Sequence, residues 1–128
     1  MGVDVYQKGK DLPEVKVLSP CRTSIIVMSK LKITVLKRLD PADIFDELPV
    51  TKKDWMVPCG IYEDGQEYLL ESLTMPEGFC GWAWRDIYKD LSVLAFGGDF
   101  PWVEKGTMVT CCTDGIRPVS FQMERLDD

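Results

Sequence analysis

The chain of 128 residues contains no histidine. That absence excludes every Ser-His-Asp or Cys-His catalytic arrangement and every imidazole metal ligand. Long apolar runs are missing too, and nothing approaches the roughly 20 residues of a membrane span. The start Met1-Gly2-Val3-Asp4-Val5 lacks the basic stretch and apolar run of a secretory signal. Tyr6 stands where a myristoylated start has Ser or Thr. Positive charge is in short supply, with 15 Lys and Arg against 21 Asp and Glu. Beyond residue 27 the imbalance is 11 against 18. This disfavours a nucleic-acid backbone or an anionic membrane as partner; a homo-oligomer is the partner class left open. The expected compartment is the cytoplasm, where thiols stay reduced and disulfide staples are not the default.

The length suits one domain, and an apolar content of 45% is enough for a real core. Residues 1–27 read as an N-terminal extension outside that domain. Pro13 and Pro20 break any period, although 23–27 has the composition of a short strand, and Met28-Ser29-Lys30 looks like a fresh start. Residues 28–128 form the domain. Leu31 to Lys37 alternates and is rich in β-branched residues, which predicts a strand. Asp40-Pro41-Ala42-Asp43 has the N-cap, N1 proline and N3 acid of a helix running to about Leu48, where Pro49 stops it. Residues 50–65 read as loop and Gln66 to Glu71 as a second strand.

After the turn Met75-Pro76-Glu77-Gly78, the spacing predicts a helix over 81–95. Ala83, Ile87, Leu91 and Leu94 make its apolar stripe, widened by Trp84, Tyr88 and Ala95. Arg85, Asp86, Lys89 and Asp90 make its wet face, and Gly97-Gly98 ends it. Thr107 to Cys112 and Val119 to Arg125 are expected as a hairpin around Asp114-Gly115. Its alternation puts Val109 and Cys111 on the buried face with Val119, Phe121 and Met123. The expected class is α+β: a small, mostly antiparallel sheet with one main helix packed on a face.

Several motifs together resemble a family of short prokaryotic proteins of unknown function. They are Lys32-Ile33-Thr34-Val35-Leu36, Gly65-Gln66-Glu67, Met75-Pro76-Glu77-Gly78-Phe79-Cys80, Trp82-Ala83-Trp84 and Asp86-Ile87-Tyr88. Gly97-Gly98, Phe100-Pro101-Trp102, Cys111-Cys112-Thr113-Asp114-Gly115 and Arg117-Pro118-Val119 complete the pattern. The resemblance covers roughly residues 30–126. It implies one small domain beginning near Met28, with the cysteines part of the pattern. It implies no reaction.

Five cysteines are present, and four lie after residue 28: Cys59, Cys80, Cys111 and Cys112. Four thiols match the ligand count of a structural zinc or an iron–sulfur cluster. The spacing has no Cys-x-x-Cys knuckle, and adjacent Cys111 and Cys112 point to opposite faces of a strand. The alternative is that these are small buried apolar residues. Cys80 stands at the mouth of the 81–95 helix, where free N–H groups favour an anionic sulfur or ligand, so a Cys80-dependent enzyme is a third reading. Cys59 on its loop and one of the adjacent pair are expected to approach it. Trp82 and Trp102 are candidates to line a pocket, against the plainer reading that they cover the core edge. Asp114 and Arg117 read as an Asx-type turn with an arginine paired on it, or as an ionic pair at a pocket rim that binds a small anion. Asp86 and Glu77 are possible acid–base groups near Cys80. The function expected is a small cytoplasmic binding or accessory protein with a Cys- and Trp-lined pocket.

Overall fold

A computed structural model of the chain describes residues 27–126. The expected N-terminal extension, apart from Val27, lies outside the described residues, as does most of the short strand expected at its end. Four strands and one α-helix follow in the order β1 (Lys30–Arg38), β2 (Glu67–Leu70), α1 (Gly81–Ala95), β3 (Thr107–Cys111) and β4 (Val119–Leu126). They build an α+β fold. The sheet order is β2-β1-β4-β3, and all three pairings are antiparallel. No helix among the described residues is long and apolar enough to cross a membrane.

The core lies between α1 and one face of the sheet. Period-two alternation turns Leu31, Ile33 and Val35 of β1 inward, beside Val119, Phe121 and Met123 of β4. On α1, Ala83, Ile87, Leu91 and Leu94 recur at helical spacing and are all buried. Asp90 corrects the expected wet face, since it is only 6% exposed. It falls three residues after Ile87 and four before Leu94, so spacing puts it on the buried stripe despite its charge. Lys89 Nζ, 3.5 Å away, is its ion-pair partner. The helix ends in a Schellman turn. The Gly98 N–H donates to Val93 O at 2.8 Å and the Gly97 N–H to Leu94 O at 3.1 Å. Gly97 takes φ +91, where a side chain is strained.

Two further expectations are overturned. The helix expected from Asp40 to Leu48 is one 3-10 turn, Pro41–Asp43. Its capping box forms, with Asp40 and Asp43 each accepting the other's backbone N–H. The residues that follow bury little against the rest of the molecule, and Pro49 bars a second turn. A helix that short has no packing to offset its nucleation. The faces of β3 are also reversed: Val109 is 44% exposed and Cys111 is exposed too. Thr110 pairs with Phe121 and Met108 with Met123, so Met108, Thr110 and Cys112 share the core-side face. The sequence Thr107-Met108-Val109-Thr110-Cys111 carries one large apolar residue on each face, so its alternation does not fix the register. Pairing with β4 does.

Candidate functional site

Phe79 fixes the site. It is buried edge-on against Tyr62 at 5.2 Å and Tyr68 at 5.0 Å, with Phe121 at 5.7 Å. The turn before it is closed by Gly78 at φ +80. Cys80 follows at the N-cap of α1, extended at φ −72 and ψ 125, and its carbonyl accepts the Trp84 N–H at 2.9 Å. The Cys80 N–H donates to Tyr62 Oη at 3.1 Å. No side-chain capping bond is made by its sulfur.

Two other segments are tied down around this helix end. The Cys59 carbonyl accepts from Arg38 Nη1 at 3.1 Å, and Arg38 is itself held by Asp64 through Nε–H to Oδ1 at 3.1 Å. At the end of β3, Cys112 pairs with Val119: its N–H donates to Val119 O at 3.0 Å, and its Sγ accepts the Val119 N–H at 3.3 Å. Asp86 of α1 holds the next residue, its Oδ2 accepting from Thr113 N at 2.8 Å and Oγ1 at 3.0 Å. The result is one cavity of about 190 Å³. Cys59, Cys80 and Cys112 line it together, with Tyr62, Trp82, Asp86, Asp114 and Arg117.

Cys111 and Trp102 are not brought there. Cys111 borders a shallow groove with Arg85 and Lys89 on the outside of α1 and β3. Trp102 is 66% exposed and leans on Phe100 at 5.4 Å. Among the described residues no group of three or more His, Cys, Asp or Glu side chains is arranged to hold a metal ion. The zinc or iron–sulfur centre expected from Cys59, Cys80, Cys111 and Cys112 therefore finds no support in the geometry. Glu77, exposed on the turn before Cys80, does not line the cavity either.

Arg117 and Asp114 form an ion pair at the cavity rim, with Nε 3.8 Å from Oδ2. Asp114 Oδ1 accepts the N–H groups of Ile116 at 2.9 Å and Arg117 at 3.0 Å, which is the Asx-type turn. Arg117 Nη1 donates to Trp55 O at 2.9 Å and reaches Val57 O at 3.4 Å, and its guanidinium lies 5.2 Å over the Trp55 ring. Nη1 thus ties down the residue 50–65 loop, whereas Nε is buried without a hydrogen-bond partner among the described residues, so the guanidinium keeps donor capacity beside the cavity. Tyr62 is the residue the sequence reading missed. Its signal was present, since it follows Cys59 by three residues between two loop turns.

Burial sets the electrostatics. It holds the Tyr62 phenol well above its ordinary range, against the Cys80 N–H that pulls the other way; the Cys80 and Cys59 thiols nearby push it further up. The Cys112 thiol is also raised, first by burial, with N–H groups of Asp114 and Val119 offsetting part of it. Both groups are neutral at physiological pH. The cavity thus offers a neutral Cys112 thiol and a phenol O–H between apolar walls, with Asp86, Asp114 and Arg117 at its edge. No family model matches the chain, and no curated protein or solved structure matches it.

Proposed function

We propose that the chain is a small binding protein whose ligand occupies the Cys59–Cys80–Cys112 cavity. One observation carries this reading: three thiols from a loop, a helix cap and a strand end converge on one cavity. Each segment is anchored there by its own hydrogen bonds. Packing alone does not require that convergence, because a small apolar cysteine serves equally well anywhere in a core.

The volume of about 190 Å³ holds roughly six water-sized groups. It lies below the roughly 300–1,000 Å³ of pockets for drug-sized ligands. The ligand is therefore fragment-sized, with an apolar or sulfur-seeking body. The reading places the protein in the reducing cytoplasm, where free thiols persist. It involves no nucleic acid and no membrane, and leaves a second copy of the chain as the macromolecular partner. It also retains the resemblance to the short prokaryotic family, whose Cys80, Cys112, Trp82, Asp114 and Arg117 motifs all border this cavity.

Native mass spectrometry of the full-length chain, purified under thiol-reducing conditions, tests the proposal. The expected result is a small-molecule mass that is lost on denaturation and is absent from a Trp82→Ala, Cys112→Leu variant with an unchanged circular dichroism spectrum. A bare chain that also fails to bind any member of a fragment library at this cavity overturns it.

A further inference from the structure

The three thiols are chemically distinct. Cys112 Sγ is engaged, accepting the Val119 N–H at 3.3 Å. Cys80 Sγ stands uncapped at the helix entrance. Tyr62, only 2% exposed, is tied to the helix entrance: its oxygen accepts the Cys80 N–H at 3.1 Å. Cys59 and Cys80 both border the cavity that Tyr62 lines. Among the described residues the phenol proton has no nitrogen or oxygen acceptor. A buried phenol that stays protonated is a donor for whichever neighbouring sulfur becomes anionic.

We propose that Cys59 and Cys80 are a dithiol pair that small disulfides oxidise inside the cavity, with Tyr62 as the hydrogen-bond donor to the reacting sulfur. This rests on the reading of the cavity as a small-molecule site. The Cys80 thiolate attacks one sulfur of R–S–S–R; that S–S bond breaks, a Cys80–S–S–R bond forms, and R–S⁻ leaves and takes up a proton. The Cys59 thiolate then attacks the Cys80 sulfur. The mixed disulfide breaks, the Cys59–Cys80 bond forms, and the second R–S⁻ leaves and is protonated. In sum, a protein dithiol and one small disulfide give a protein disulfide and two R–SH. Two electrons pass from the protein to the disulfide, which is the only oxidant. Asp86 and Asp114 outnumber Arg117 in the cavity lining, and Asp114 is the one paired with it, so Asp86 favours a small disulfide that carries positive charge.

The test treats the full-length reduced chain with cystamine at neutral pH and maps disulfides by non-reducing peptide mass spectrometry. The expected product is the Cys59–Cys80 peptide pair. In Cys59→Ser the reaction stops at a cysteamine adduct on Cys80. In Cys80→Ser no pair forms. In Cys111→Ser, at a thiol outside the cavity, the pair forms as in the parent. Tyr62→Phe slows pairing by roughly tenfold, the worth of a hydrogen bond to a charged group. A bridge to Cys112, or a stable adduct on the unmodified chain, overturns the inference even where the folds of the variants are in doubt. Pairing at full rate in Tyr62→Phe overturns the role of the phenol. A small molecule bound in native spectra with no Cys59–Cys80 bridge refutes this inference alone and leaves the binding reading intact.

Discussion

Arg117→Ala isolates what holds the residue 50–65 loop in place. The residue 50–65 loop has no strand or helix of its own, so its position depends on ties to the sheet. Arg117 supplies one short bond to Trp55 O at 2.9 Å, a longer one to Val57 O at 3.4 Å, and a stacked contact with the Trp55 ring. A hydrogen bond from a charged donor is worth about 1.5–3 kcal/mol, and the 26% exposure of this side chain argues for the lower end. An exposed cation–π contact adds about 0.5–1 kcal/mol. The sum is about 2 kcal/mol of local stability, or a roughly thirtyfold rise in the fraction of open loop. Native-state hydrogen exchange reads this at the Met56 and Val57 amides, which donate to Lys53 O at 3.0 Å and Trp55 O at 2.8 Å. Their protection should fall about thirtyfold, while the β1 and β4 amides keep theirs. Arg117→Lys, which retains the charge without the planar fork, should fall between. Unchanged protection at Met56 in Arg117→Ala would refute the claim that this arginine holds the loop.

Three further outcomes follow from the packing. Phe121→Ala removes a fully buried ring at the centre of the aromatic cluster and should cost on the order of 3–5 kcal/mol in urea unfolding; a loss under about 1 kcal/mol would place β4 in another register. Gly97→Ala forces a side chain into φ +91 and should destabilise by about 1 kcal/mol or more, measured as a lower thermal midpoint. Asp99 is held below the ordinary carboxylate range, first by its bond from Arg125 and then by the Gly106 N–H. Its ionised form therefore adds stability above about pH 4, the unfolded value, and this is lost as pH falls further. The stability gap between the parent and Asp99→Asn should narrow on acidification below about pH 4, and a gap independent of pH would count against the pair.

Most of the fold was legible where a period met a clear boundary. β1 and α1 are bounded by residues with strong local preferences, and α1 runs over the span its stripe defines, Gly81–Ala95. Asp90 shows that spacing outranks charge: it sits on the stripe that Ile87 and Leu94 define and is buried there. β3 shows the reverse limit, because Met108 and Val109 are equally apolar and only pairing with β4 decides which is inside. The segment after Asp43 shows that a well-formed cap does not make a helix when nothing packs on it. At the site, Cys80 and Trp82 could be placed from the helix start alone. The convergence of Cys59 and Cys112 on them depends on tertiary ties from Arg38 and Asp86, which no local pattern encodes. The tie of Arg117 Nη1 to the Trp55 carbonyl was hidden for the same reason.

The central claim is that Cys59, Cys80 and Cys112 wall one cavity, with Cys111 outside it. Dibromobimane tests this directly, since it becomes fluorescent only when both of its arms have alkylated thiols. Treated in the folded, reduced state and then digested, the chain should yield a fluorescent bridge joining Cys59 to Cys80, or either of them to Cys112. Bridges confined to the adjacent Cys111 and Cys112, with single adducts at Cys59 and Cys80, would contradict the account.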